Sequence, residues 1–224
     1  MENDYNENDL FVEFADNPDP RCPCILLLDV SSSMTGKPIE ALNEGLKTFH
    51  EEVTQDELAS RRVELGIITF GSGVDTIQDF VTVDQFNPPT LTTSGTTSMG
   101  TAIKKGLDMI ADRKEIYNNN GIAYYRPWLF LITDGHPTDE WESAAKRLKI
   151  EDEQKKVAFF AVGVEGADMS RLAKISPPSR VPLKLKGLNF SEMFVWLSTS
   201  LRSVSSSTPG DQVPLSTPEG WASV

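Results

Sequence analysis

Ile25-Leu26-Leu27-Leu28-Asp29-Val30-Ser31-Ser32-Ser33-Met34 is the stretch that decides the fold. Four apolar residues in succession read as a strand buried on both faces, as strands of a parallel sheet are. The run ends in a carboxylate, with hydroxyls two and four residues on, and Gly36-Lys37-Pro38 then leads into a helical pattern. In an open α/β sheet, ligands occupy the crevice beyond the carboxyl ends of the strands. Asp29, Ser31 and Ser33 therefore face that crevice as one carboxylate and two neutral oxygens. Hard oxygen donors suit a divalent cation such as Mg²⁺. Asp and Ser are also favoured helix caps, so this stretch alone leaves both readings open.

Moving outward, the pattern repeats. Residues 38–53 carry Ile39, Leu42, Leu46, Phe49 and Val53 at helical spacing, with Pro38 in the first turn. Residues 62–70 and 74–83 read as strands joined by Gly71-Ser72-Gly73, a connection short enough to make them an antiparallel hairpin. A Thr-, Ser-, Pro- and Gly-rich loop, residues 87–100, precedes a helix marked by Met99, Ala102, Ile103, Gly106, Leu107 and Ile110. Residues 128–133 form the next buried strand, which stops at Asp134-Gly135. Asp139 reads as the cap of a helix carrying Trp141, Ala144, Ala145 and Leu148. Residues 157–164 give another buried strand, 170–175 a short helix and 181–185 a last strand. Phe190, Met193, Phe194, Leu197 and Leu201 mark the final helix. The expected fold is α/β: a doubly wound, mostly parallel six-stranded sheet, with one antiparallel edge strand and helices on both faces.

The chain has 224 residues, enough for one sizeable core with short extensions. Residues 1–19 read as an acidic arm, with an edge strand at residues 11–14; residues 20–204 form the domain and 205–224 a Ser/Pro-rich tail that Trp221 docks. The formal net charge of -12 disfavours nucleic acid and anionic membranes as partners. Seven acids and no base fall in residues 1–20; taking those seven from 33 acids leaves 26 against 21 bases, an ordinary surface. Cys22 and Cys24 lack a second pair or a His cluster for zinc and read as reduced thiols. With no charged apolar leader, the expected setting is cytoplasmic.

The architecture discriminates between cap and metal, because other strand ends must aim oxygens at the same crevice. Asp134 follows Leu129-Phe130-Leu131-Ile132-Thr133 as Asp29 follows its own apolar run, and Ser94-Gly95-Thr96-Thr97-Ser98-Met99-Gly100 supplies hydroxyls before a helix. Three loops with matching chemistry favour a metal site. Two carboxylates among neutral donors leave the ion electrophilic and open to an outside anion, such as an Asp or Glu of a partner.

Asp29-x-Ser31-x-Ser33, a loop Thr and Ile132-Thr133-Asp134-Gly135 resemble the metal-ion-dependent adhesion site of von Willebrand factor type A domains. More narrowly, residues 21–29, 125–135 and 162–169 resemble the bacterial tellurium-resistance-associated TerY family. The resemblance implies that Ser31, Ser33 and a loop threonine coordinate the metal directly, with Asp29 and Asp134 acting mainly through waters. Thr97 takes the threonine place, counting back from Gly100, with Thr96 the lesser candidate. Mg²⁺ is the implied cofactor, with Mn²⁺ or Ca²⁺ also compatible. Ser32 and Thr96 stand where the family usually has glycine. The family also implies a stress-response adapter for kinase- or phosphatase-type proteins.

Two function classes follow: a non-catalytic, metal-dependent protein-binding module, and a Mg-dependent phosphoryl-transfer enzyme on a similar sheet. The second usually places an Asp two residues after the first, where this chain has Ser31. No P-loop or Ser–His–Asp grouping occurs, and His136 reads as a rim residue. The binding module is the stronger reading.

Overall fold

The computed structural model describes residues 14, 16–218 and 220–223. Among these, seven strands form one sheet in the order β3-β2-β1-β4-β5-β6-β7. The strands are β1 (Cys22–Asp29), β2 (Val63–Phe70), β3 (Val74–Thr82), β4 (Trp128–Thr133), β5 (Ala158–Gly163), β6 (Leu183–Leu185) and β7 (Ala222–Ser223). The helices are α1 (Lys37–Thr54), α2 (Glu57–Arg62), α3 (Met99–Asn119), α4 (Glu142–Glu153), α5 (Met169–Ile175) and α6 (Phe190–Ser205).

Every residue of β1 and β4 is buried, and side-chain alternation sends successive residues to opposite faces. Leu26, Leu28, Phe130 and Ile132 join α1, α2 and α6 in one core. Ile25, Leu27, Leu129 and Leu131 join α3, α4 and α5 in the other. A strand apolar at every position is thus what two covered faces require. On the first face α1 and α6 pack closely: a Cβ on Gly45 would come within 2.5 Å of the Phe194 ring.

From β1 the chain builds outward through β2 and β3; from β4 it builds the other way through β5 and β6. The order therefore reverses between β1 and β4, and a crevice opens at their carboxyl ends. The β2–β3 pairing is antiparallel, as the short turn requires.

Three expectations change. The sheet has seven strands, not six, because Ala222 and Ser223 pair antiparallel with Leu185 and Lys184, so both edges carry an antiparallel strand. Trp221, next to that strand, is buried against Trp196 with ring centroids 5.4 Å apart. Of the expected edge strand at residues 11–14, residues 11–13 lie outside the described residues; Phe14 is helical and buried against Tyr117. The acidic stretch 1–10 lies outside them too. Asp139 does not cap α4, whose N-cap is Trp141. It instead accepts from Gly100 N at 2.9 Å, Thr101 N at 2.8 Å and Thr101 Oγ1 at 2.8 Å. It so caps α3, whose own N-cap, Ser98, makes no such bond.

Candidate metal centre

Asp29 is the last residue of β1 and fully buried. Register places Leu28 of β1 opposite Ile132 of β4, so the next residues, Asp29 and Thr133, meet. Thr133 Oγ1 donates to Asp29 Oδ2 at 2.5 Å, and Ser31 N donates to Asp29 Oδ1 at 2.8 Å. A 3-10 turn, Ser32–Met34, then folds Ser33 back beside Ser31, their hydroxyls 2.9 Å apart. Ser33 Oγ donates to Asp134 Oδ1 at 2.7 Å, across 101 residues of chain. Ser32 points to solvent. Its backbone needs no glycine, since Lys155 is the non-glycine residue with positive φ among the described residues.

The threonine loop is stitched to this turn by its backbone. Ser94 N donates to Val30 O at 2.7 Å, and Ser32 N donates to Gly95 O at 3.0 Å. Thr97 is buried and Thr96 exposed. Thr138 grips Thr97 from the β4 side, Thr138 N donating to Thr97 O at 2.9 Å and Thr97 N to Thr138 Oγ1 at 3.2 Å. A Cβ built on Gly135 would stand 2.9 Å from Thr97 Oγ1 and 3.4 Å from Asp29 Oδ2. Thr97 and Asp29 therefore turn their oxygens toward one small space that any larger residue at 135 would enter. Asp29, Ser31, Ser33, Thr97 and Asp134 converge at the crevice, while Thr96 is exposed and its N–H donates to Ser72 Oγ at 3.3 Å.

Burial holds the carboxyls of both Asp29 and Asp134 above the usual carboxylate range, against the lowering effect of their hydroxyl donors. The charged group acting on Asp29 is another carboxylate, Asp134. Buried negative charge with no cation beside it is costly. A divalent ion would supply the positive charge, and the donor set of carboxylates and hydroxyls fits a hard cation. Among the described residues no group of three or more His, Cys, Asp or Glu side chains forms a metal cage. Neutral hydroxyls thus share this centre with just two acids, a composition that leaves a bound ion electropositive.

Around the rim, His136 is exposed, its Nε2 lying 3.3 Å from Asp168 Oδ2. Asp168 caps α5 by accepting from Arg171 N at 3.0 Å. Hydrogen bonds from Ser170 and the Arg171 backbone pull its carboxyl below the usual range. Thr133, quoted in the motif without a role, and Thr138, which the motif does not contain, are the supporting residues. The signal for Thr133 was a lone hydroxyl closing an otherwise apolar strand; nothing local marks Thr138.

A family model described as the von Willebrand factor type A domain matches residues 24–192. The chain belongs to the von Willebrand factor type A domain family. Domains of this family are commonly protein-interaction modules and are generally not enzymes. No curated protein matches. Among solved structures, the von Willebrand factor type A protein from Catenulispora acidiphila superimposes with TM-score 0.63 at 14% identity, over 82% of this chain and 43% of that one. The open form of the pilus adhesin SpaC from Lactobacillus rhamnosus GG gives TM-score 0.64 at 15% identity, over 83% and 30%. Proximal thread matrix protein 1 from the mussel byssus gives TM-score 0.56 at 20% identity, over 82% and 48%. The chain spans less than half the length of each. These likenesses establish the von Willebrand A fold. Among the described residues no helix is long and apolar enough to cross a membrane.

Proposed function

We propose that this von Willebrand A domain is a non-catalytic, divalent-metal-dependent protein-binding module whose partner supplies an Asp or Glu carboxylate. The observation that carries the reading is the hydrogen-bonded series Ser31–Ser33–Asp134, beside a fully buried Asp29 that has hydroxyl and amide donors and, among the described residues, no basic side chain paired with it. When bound, the ion, Mg²⁺ in our reading, supplies a Lewis-acidic position open to an outside anion. Ser31, Ser33 and Thr97 offer neutral oxygens to it. Asp29 and Asp134 balance its charge and orient the hydroxyls and their waters. Catalysis is disfavoured because Ser31 stands where a phosphoryl-transfer enzyme on such a sheet would carry its acid/base carboxylate.

The partner in this reading is a kinase- or phosphatase-type protein, and the setting is bacterial tellurite and stress response in the cytoplasm. Its support is the resemblance of residues 21–29, 125–135 and 162–169 to the TerY family. Affinity capture from bacterial lysate, with and without EDTA, tests the metal requirement: a specific partner should be lost on chelation. Replacing the contacting partner carboxylate by its amide should weaken binding by about 2–5 kcal/mol, or roughly 30- to several-thousand-fold. That variant should also lose most of its sensitivity to EDTA. Binding that survives chelation unchanged would locate recognition on another surface.

A further inference from the structure

A cavity lies at the opposite, amino-terminal ends of β4 and β5, beyond the last turn of α6, whose Val204 lines it. The segment that leaves α6, residues 206–218, crosses there without regular secondary structure. An irregular chain cannot fill the space as a helix would, and a cavity of about 610 Å³ remains. Trp128 and Phe160 form its floor, with centroids 4.6 Å apart, and Val213 and Leu215 contribute to the roof. Tyr124 and Phe160 are half-buried, so ring surface is left for a ligand.

The lining inverts the charge of the protein. Lys114, Arg126, Lys155, Lys156 and Arg180 face a single acid, Asp211, in a chain with 33 acids and 21 bases. Arg126 and Arg180 share the buried Asp152, at 3.3 Å and 2.6 Å, so two guanidinium charges meet one carboxylate. Arg180 also lies 5.3 Å from the centre of the Phe160 ring. Among the described residues no ion pair involves Lys114, Lys155 or Lys156. Lys155 has φ +58, a left-handed conformation at the end of α4 that normally falls to glycine. That conformation closes α4 in a Schellman cap, Lys155 N donating to Asp152 O at 2.9 Å and Lys156 N to Glu151 O at 2.8 Å, and the cap sets both lysines at the cavity.

We propose that this cavity binds a nucleoside phosphate, its base against Phe160 and Tyr124 and its phosphates among the lysines. Five bases against one acid in the lining call for more than one negative charge, and the aromatic floor calls for a flat ring. The volume falls within the range of small-ligand sites, and a roofed cavity suits a small molecule better than a peptide.

Calorimetry of the whole protein in EDTA, with ADP as probe, keeps this site separate from the metal centre. ADP at about 1 mM should give a saturable one-site isotherm, while adenosine and pyrophosphate, each half of the ligand, bind at least about tenfold more weakly. Lys155→Glu with Lys156→Glu changes two exposed side chains and should lower ADP affinity about tenfold or more. Lys155→Gly relieves the left-handed strain, so it should keep or raise the melting temperature while weakening ADP. No binding of ADP, binding that the lysine variants leave unchanged, or equal binding of either half-ligand would overturn the proposal.

Discussion

Asp29 and Glu64 are both fully buried acids on adjacent parallel strands, one at the carboxyl end of β1 and the other near the amino end of β2. Their surroundings differ in kind. Arg113 holds Glu64 bidentately, Nε on Oε2 at 2.8 Å and Nη2 on Oε1 at 2.7 Å. Arg21 Nε donates to Glu64 Oε1 at 3.0 Å, and the Tyr117 hydroxyl donates to Oε2. That carboxylate is neutralised by the protein itself. Asp29 meets hydroxyls, an amide and a second carboxylate. One buried acid is surrounded by arginines and its neighbour by neutral donors, and in the function proposed above a cation from outside would supply the charge that the second acid lacks. Burial alone therefore does not distinguish a structural acid from a functional one; the charge of the partners does.

The largest effect should come from the neutralised acid. Glu64→Gln removes the buried carboxylate that Arg21 and Arg113 share and should cost about 3–5 kcal/mol, roughly 6–20 °C in melting temperature. Asp29→Asn strands no basic side chain, so in EDTA its stability should stay within about 1 kcal/mol of wild type, roughly 2–4 °C in melting temperature. If the two variants exchanged these effects in thermal denaturation, the contrast between the sites would be wrong.

Next in size is the response to metal. Mg²⁺ at a hundred times its dissociation constant should stabilise the wild type by about 2.7 kcal/mol, roughly 5–10 °C, and Asp29→Asn by nothing. Asp139→Ala should cost about 1 kcal/mol, roughly 2–4 °C, by uncapping α3 from a neighbouring loop. An unchanged melting temperature would mean that water caps the helix equally well. The smallest signal is chemical. Burial, with a contribution from Glu64, pushes the Cys22 thiol up to about 12, and burial likewise raises Cys24 well above the ordinary range. At pH 8 the thiolate fraction of Cys22 is then of order 10⁻⁴. Native protein should react with a disulfide reagent only in denaturant; rapid native reaction would show that the entry to β1 opens.

Much of this was legible in the sequence because it was local. The two-faced apolar runs of β1 and β4, each closed by an aspartate, gave the buried strands and the crevice between them. The spacing of Ser31 and Ser33 put both hydroxyls at one turn. What stayed hidden depends on residues far apart in the chain. Val63-Glu64-Leu65 reads as an ordinary alternation, and nothing local says that Glu64 is enclosed by residues 21, 113 and 117. Asp139 looks like a cap for the helix that follows it, yet folding brings it to α3. The helix α2 is six residues long, too short to show a period, and the two residues of β7 show none at all. Thr138, which holds Thr97 in place, sits in a loop whose sequence carries no sign of its contact.

The central claim is that Asp29 with its hydroxyl neighbours accepts a divalent cation. Isothermal titration of the whole protein with Mg²⁺, beside Asp29→Asn and the paired variant Asp29→Ala with Ser33→Ala, tests it most directly. The account predicts one saturable site in the wild type and none in either variant, with far-ultraviolet circular dichroism unchanged in all three. Identical isotherms in wild type and variants would contradict it, because the ion would then be held elsewhere.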